Sequence, residues 1–317
     1  MSAETTLREI AADLLGTGKV DVVVGYRRGD GALVATPAFV SDPAEADVLV
    51  FDVTCENNLA NYLHRLEGRK VAVVVKGCDE RSVIGLIQEG QIARDDVVIL
   101  GTPCSGVIDP EATTALTKGG EVAEAVQEGA TLVLRLSSGE EVLGDLCELI
   151  HPGCRECSVR NPRHADHLIG DLVDQPSMPD VSPDVTRVEA MPTGKRWEYF
   201  QREMGKCILC FACRSVCPAC YCNACFTDSS QPKWMSKSSD PSDTMFFHLT
   251  RLLHLTGRCT GCGACVRACP VNVDLRLYND KLRNDVKDVF EFEAGLDPEI
   301  PAPLSCFRLD DKDDFIK

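Results

Sequence analysis

The residues in this chain best suited to chemistry are cysteines, and they fall into two matching runs. The first is Cys207-x2-Cys210-x2-Cys213-x3-Cys217-Pro218 and the second is Cys259-x2-Cys262-x2-Cys265-x3-Cys269-Pro270. Three thiolates on one tight loop reach three irons of a cubane, and the fourth iron needs a ligand from elsewhere. In this spacing the cysteine before proline points away from its own loop and serves the other centre. The expected ligand sets are therefore crossed. Cys207, Cys210, Cys213 and Cys269 hold one [4Fe-4S] centre, and Cys259, Cys262, Cys265 and Cys217 hold the other. Each proline lacks a backbone donor and restricts the ligand before it. The small residues Ala212, Gly261, Gly263 and Ala264 let backbone N–H groups approach sulfur, and such bonds help set the potential. A lone cysteine is usually a small buried hydrophobe, and Cys-x2-Cys also suits zinc. Neither explains two complete four-ligand runs with prolines in register.

Four further cysteines stand at informative places. Cys78 follows the apolar run Val71–Val75, and Cys104 follows Val97–Leu100. Both are expected at the C-terminal edge of a parallel sheet, where α/β proteins place ligands. Cys154-Arg155-Glu156-Cys157 comes next, and two strand-end thiolates plus one such loop can close a four-ligand cage. Cys55 also follows an apolar run and competes for a place in that set. Cys220, Cys222 and Cys225 follow directly on the first run. They read either as a zinc or cluster site completed by Cys306, Cys147, Cys55 or His248, or as buried thiols beside the centres. Otherwise Cys55 and Cys147 read as structural thiols, and His248 and His254, on an apolar helical pattern, as packing or surface residues.

The elements that must position these residues follow from periodicity. Residues 1–175 read as an α/β domain with a mainly parallel sheet. Strands are expected at Val20–Val24, Val48–Val53, Val71–Val75 and Val97–Leu100, with helices at Thr5–Leu15, Leu59–Leu66 and Arg81–Glu89. A helix near Glu121–Gln127 and a hairpin of Leu132–Leu136 with Glu141–Leu143 across Ser138-Gly139 complete it. Residues 176–195 carry Pro176, Pro179, Pro183 and Pro192 and read as a structureless linker. Residues 196–280 read as an α+β two-cluster, ferredoxin-like domain. It carries an insertion, with a polar stretch at Asp228–Ser242 and a helix at Thr244–Leu255. Residues 281–317 form an acidic tail, expected to lie over a partner or over its own domain.

The 317 residues suffice for two or three domains, and 44% hydrophobic with 26% charged residues suits a globular protein. A net charge of −16 argues against nucleic acid and anionic membranes as partners. No apolar stretch has the length of a membrane span, and the start of the chain lacks the pattern of a secretory signal. Eighteen cysteines at cluster spacings therefore point to the reducing cytoplasm of an anaerobe rather than to a disulfide scaffold.

The order Cys78, Cys104, Cys154-x2-Cys157, then Ala165-Asp166 through Gly170-Asp171 resembles the C-terminal domain of the deazaflavin-coenzyme hydrogenase/dehydrogenase beta-subunit family. The resemblance covers about residues 65–175. It implies a third [4Fe-4S] centre held by Cys78, Cys104, Cys154 and Cys157, and it raises FAD as a cofactor. The first run, extended by Cys220, Cys222 and Cys225, resembles the ferredoxin regions of formate dehydrogenase and sulfhydrogenase beta subunits. Here the two-cluster module follows the α/β domain, and the N-terminal region shows no glycine-rich stretch of the flavin-binding kind. Gly25-Tyr26-Arg27-Arg28-Gly29 reads as a phosphate-facing turn or a solvated loop.

No Gly-x-Ser-x-Gly elbow, Walker loop or dinucleotide fingerprint is present, so no catalytic residue is assigned. The expected function is an iron-sulfur electron-transfer subunit of a multisubunit cytoplasmic oxidoreductase. Its partners would be subunits of a formate dehydrogenase, a hydrogenase or a heterodisulfide-reductase-like complex. The alternative is a flavin-containing beta subunit that itself oxidises or reduces a hydride-carrying coenzyme.

Overall fold

The computed structural model describes residues 2–177, 181–236 and 238–306. The chain forms two compact units. One comprises Met1–Glu80 with Ala93–Met178, and the other Arg81–Ile92 with Pro179–Lys317.

The first unit opens with helix α1 (Ala3–Gly16), started by the Ser2 hydroxyl accepting from Thr5 N and burying Leu7, Ala11, Leu14 and Leu15 on one face. Strands β1 (Val22–Arg28) and β2 (Ala35–Val40) follow, then β3 (Val71–Val75), helix α2 (Gly77–Gln88), which belongs to the second unit from Arg81 onward, and β4 (Val97–Gly101). After helix α3 (Pro110–Leu116) come β5 (Val122–Glu128), β6 (Thr131–Leu136) and β7 (Glu141–Asp145). The short turns α4 (Leu146–Leu149) and α5 (Pro152–Arg155) and the strand β8 (His167–Leu168) end this unit. The main sheet has the order β2-β1-β3-β4-β8 and is parallel except for the β1–β2 pair. Every residue of β3 is buried, as continuous valine requires of a strand covered on both faces. The three-stranded antiparallel sheet β5-β6-β7 rests on a small core of Val53, Ile108, Leu132, Leu134, Leu146, Leu149 and Ile150.

Several expectations are corrected here. Val48–Val53 is not a strand, and only Val50 forms a bridge, to Tyr26. One edge of β1 is taken by β2, and β3 takes the other over Val22–Val24, which leaves Val50 a single partner. Strand β2 carries Pro37, tolerated because it lies at the sheet edge. Leu59–Leu66 is a 3-10 helix. The expected helix at Glu121–Gln127 is strand β5: pairing with β6 overrides the helix-forming Glu, Ala and Gln. The Gly25–Gly29 run is not a loop, since Gly25 to Arg28 lie inside β1 and Gly29 N closes the hairpin on Val34 O at 2.9 Å.

In the second unit every regular element among the described residues is helical, so the strands expected of an α+β domain are not found there. Helices α6 (Pro183–Glu189), α7 (Thr193–Gly205), α8 (Ala212–Ser215), α9 (Pro241–Leu255), α10 (Ala264–Arg267) and α11 (Leu275–Phe290) follow in order. The supposed structureless linker contains α6 and the start of α7: Pro183 sits in the first turn of α6, where its fixed φ is pre-organised for a helix, and Pro192 caps the start of α7. The core joins Phe200 and Met204 of α7, Phe247 of α9 and Leu275 of α11 to Leu209, Cys213, Met235 and Val273. Helix α11 carries the chain past residue 281. Beyond it Phe292, Ala294 and Ala302 pack with Val286, and both Arg81 Nε and Nη2 donate to Ala294 O at 2.9 and 2.6 Å. No helix among the described residues is long and apolar enough to cross a membrane.

Candidate metal centres

The two cysteine loops share one backbone shape. Leu209 and Phe211 have φ of 52° and 59°, and the matching Gly261 and Gly263 have 72° and 71°. These are left-handed positions, free for glycine and costing roughly 1 kcal/mol or more for other residues. The first loop bears that cost with packing. Leu209 is buried in the core, and Phe211 meets Phe247 edge-on at 5.1 Å. The shape turns amides toward sulfur. Leu209 N donates to Cys207 Sγ at 3.4 Å, and Gly261 N donates to the Cys259 sulfur. Single helical turns, α8 and α10, then carry Cys213 and Cys265.

Cys217, Cys259, Cys262 and Cys265 line one cavity of about 50 Å³, with Pro218, Arg251, Thr260 and Asn279 also in its wall. The fourth cysteine of the first run thus sits with the first three of the second. In the reverse direction, the thiols of Cys207 and Cys213 each feel the charge of Cys269. Val273 N donates to Cys269 Sγ at 3.3 Å and Asn279 Nδ2 to Cys265 Sγ at 3.6 Å. Burial pushes the Cys213 and Cys259 thiols up to about 12 and Cys265 to about 11. Cys217 is held well above its usual value, first by its contact with Cys220 and then by burial. Cys210 is exposed at the rim of its loop.

One participant carries no motif and went unnoticed in the sequence. Arg251, on the inner face of α9, is 3% exposed and donates through Nη2 to Cys213 O at 3.1 Å. Its Nε and Nη1 have no hydrogen-bond partner, and the charges that act on it are those of Cys217, Cys265, Cys213 and Cys220. The available signal was an arginine one turn past Phe247 on the buried face of the largely apolar helix α9.

Among the described residues, no group of three or more His, Cys, Asp or Glu side chains could hold a metal ion. A tetrahedral zinc draws its sulfurs to about 3.8 Å of one another, given bonds of about 2.3 Å. A cubane keeps its thiolates farther apart, because each binds its own iron. All-thiolate donor sets, amides aimed at sulfur and a buried cation lacking a counter-ion fit a [4Fe-4S] group, which supplies one-electron transfer when bound.

In the first unit Cys78 lies in the first turn of α2 and Cys104 in the loop after β4. The segment after Cys157 is fastened to these strand ends. A Cβ on Gly77 would lie 2.1 Å from Val159 O, and one on Gly101 would lie 2.5 Å from the Ala165 Cβ. The Glu80 carboxylate accepts from Arg163 N and His164 N, both at 2.7 Å, and Asp166 Oδ2 accepts from Ile99 N at 2.7 Å. Cys104 feels the charges of Cys154 and Cys157, its thiol is pushed up to about 12 by burial, and Gly106 N donates to its sulfur at 3.4 Å. Lys76, 2% exposed, pairs with Asp79 at 2.6 Å and feels the charges of Cys78 and Cys104. Cys55 is buried nearby, bonded through Sγ to Asp52 N at 3.4 Å, with its thiol pushed up to about 12 by burial.

The trio Cys220, Cys222 and Cys225 does not converge. Cys220 contacts Cys217, Cys222 is exposed, and Cys225 faces Thr227 and Arg214. Cys147 and Cys306 are exposed. His248 is buried beside Phe247, and His254 packs edge-on against Phe226 at 5.6 Å.

The family model for the 4Fe-4S dicluster domain matches residues 203–273. The beta subunit of F420-dependent formate dehydrogenase from Methanocaldococcus jannaschii is 23% identical over 93% of this chain and 92% of its own length. The corresponding subunit of F420-dependent formate dehydrogenase 1 from Methanococcus maripaludis is 24% identical over 92% of this chain and 91% of its own. A chain of the F420-reducing [NiFe] hydrogenase complex from Methanosarcina barkeri aligns with a TM-score of 0.38 at 15% identity, covering 49% of this chain and 59% of that one. Residues 203–273 are therefore a 4Fe-4S dicluster domain, in a chain similar along most of its length to beta subunits of F420-dependent formate dehydrogenases.

Proposed function

We propose that this chain is the iron-sulfur electron-transfer subunit of a formate-dehydrogenase-type complex in a reducing cytoplasm. Cys207, Cys210, Cys213 and Cys269 hold one [4Fe-4S] centre in a ferredoxin-like pair of loops, and Cys259, Cys262, Cys265 and Cys217 hold the other. Cys78, Cys104, Cys154 and Cys157 hold a third. The observation that carries this reading is the cavity in which Cys217 joins the three leading cysteines of the second run. The amides that donate to these sulfurs stabilise charge on them, which favours one-electron chemistry at a bound centre.

The test is anaerobic purification with iron and acid-labile sulfide counted per chain. About eight of each are expected for two centres and about twelve for three. The absence of labile sulfide removes the reading. A flavin band surviving iron removal replaces the relay with a coenzyme-oxidising subunit, and other subunits that co-elute identify the complex.

A further inference from the structure

Arg251 is a buried cation with no counter-ion in a wall otherwise balanced in charge. The other cations at this cavity have carboxylates. Arg258 pairs with Glu89, Arg276 with Asp280 at 3.2 Å, and Arg283, which acts on Cys259, with the same Asp280 at 2.9 Å. Among the described residues no carboxylate pairs with Arg251, and its Nε and Nη1 are unpartnered. A buried guanidinium in that state is strongly unfavourable unless an anion faces it. Arg251 stands in the wall of the cavity that Cys217, Cys259, Cys262 and Cys265 line, and from the other set it reaches the backbone carbonyl of Cys213 at 3.1 Å. Backbone amides do not separate the two sets. Leu209 and Val273 serve Cys207 and Cys269, while Gly261 and Ala219 serve Cys259 and Cys217. The asymmetry lies in the arginine.

We propose, resting on the relay reading, that Arg251 makes the centre held by Cys217, Cys259, Cys262 and Cys265 the easier of the two to reduce, and so sets the order in which they fill. One-electron reduction adds a unit of negative charge to this cavity and moves no atom. A fixed positive charge at low dielectric favours that state, most for the centre whose cavity it lines.

The experiment is a redox titration of the full-length, cluster-loaded protein followed by electron paramagnetic resonance. Each signal is assigned by whether Cys262→Ser or Cys210→Ser perturbs it. Arg251→Gln and Arg251→Met should each weaken reduction of the Cys259-loop centre at least tenfold, about 59 mV for one electron. The other centre should change by less, and Arg251→Lys should stay within about threefold of the parent. Unchanged potentials in the neutral variants, a larger shift at the Cys207-loop centre, or a Lys variant as impaired as Gln overturns the proposal. A parent protein without two clusters overturns the relay reading itself, a result separable by iron and sulfide content. Should Arg251→Met not accumulate, the Gln and Lys variants carry the comparison.

Discussion

At Cys269 the proposed crossed ligand sets make a sharp prediction. Its sulfur accepts from Val273 N and acts on Cys207 and Cys213. Cys269→Ala should therefore disturb the centre of Cys207, Cys210 and Cys213. A variant whose resonance spectrum loses only the Cys259-loop signal would contradict this. His248 makes another. Burial first, and then the charge of Arg251, lowers its imidazole from 6.5 to about 4. The folded protein keeps it neutral while the unfolded chain takes up a proton below about 6.5. Its contribution is fully present above that pH and is lost as pH falls toward about 4, on the order of 3 kcal/mol. Chemical denaturation from pH 7 to pH 4 should show that slope in the parent and a clearly smaller one in His248→Leu.

Helices and strands place these residues through close backbone contacts rather than through side-chain bonds alone. Gly77 joins β3 to α2 and lets Val159 O approach where a methyl would stand 2.1 Å away. Gly77→Ala should cost about 1–3 kcal/mol by overpacking and displace Cys78. Gly194, in the first turn of α7, has nothing within 4 Å of the point that a methyl would occupy. Gly194→Ala should be neutral or stabilising by up to about 1 kcal/mol. Thermal unfolding of the two variants side by side checks both signs, and equal loss in each would refute the packing argument. The strand ends, the leading helix and the β6–β7 hairpin were legible because valine runs and the Ser138-Gly139 turn state their period plainly. Strand β5 was not, because Glu, Ala and Gln favour a helix until a neighbouring strand offers pairing.

Across the two units, metal and folding should be coupled unequally. The second unit has no sheet among its described residues, and Cys213 belongs to its core. Part of that unit's stability should therefore come from cluster ligation. Removing iron by anaerobic chelation should lower amide-exchange protection in α8, α9 and α10 while β1, β3 and β4 keep theirs. Unchanged protection in α8, α9 and α10 would mean that the clusters are passengers rather than part of the core, and equal loss in both units would refute the unequal coupling. The valine strands of the first unit bury their own apolar surface and need no metal to do so.

Cysteine spacing was enough to name the cofactor class and to propose the crossed pairing of the runs, because ligand reach around a cubane is a local matter of a few residues. The helix of the insertion was equally readable from its periodicity. Folding alone disclosed that this helix delivers Arg251 between the sulfurs, that the proline-rich segment begins helices, and that Cys220, Cys222 and Cys225 part company. Those outcomes depend on which distant surfaces meet, and burial of a charge becomes visible only when the groups around it are known.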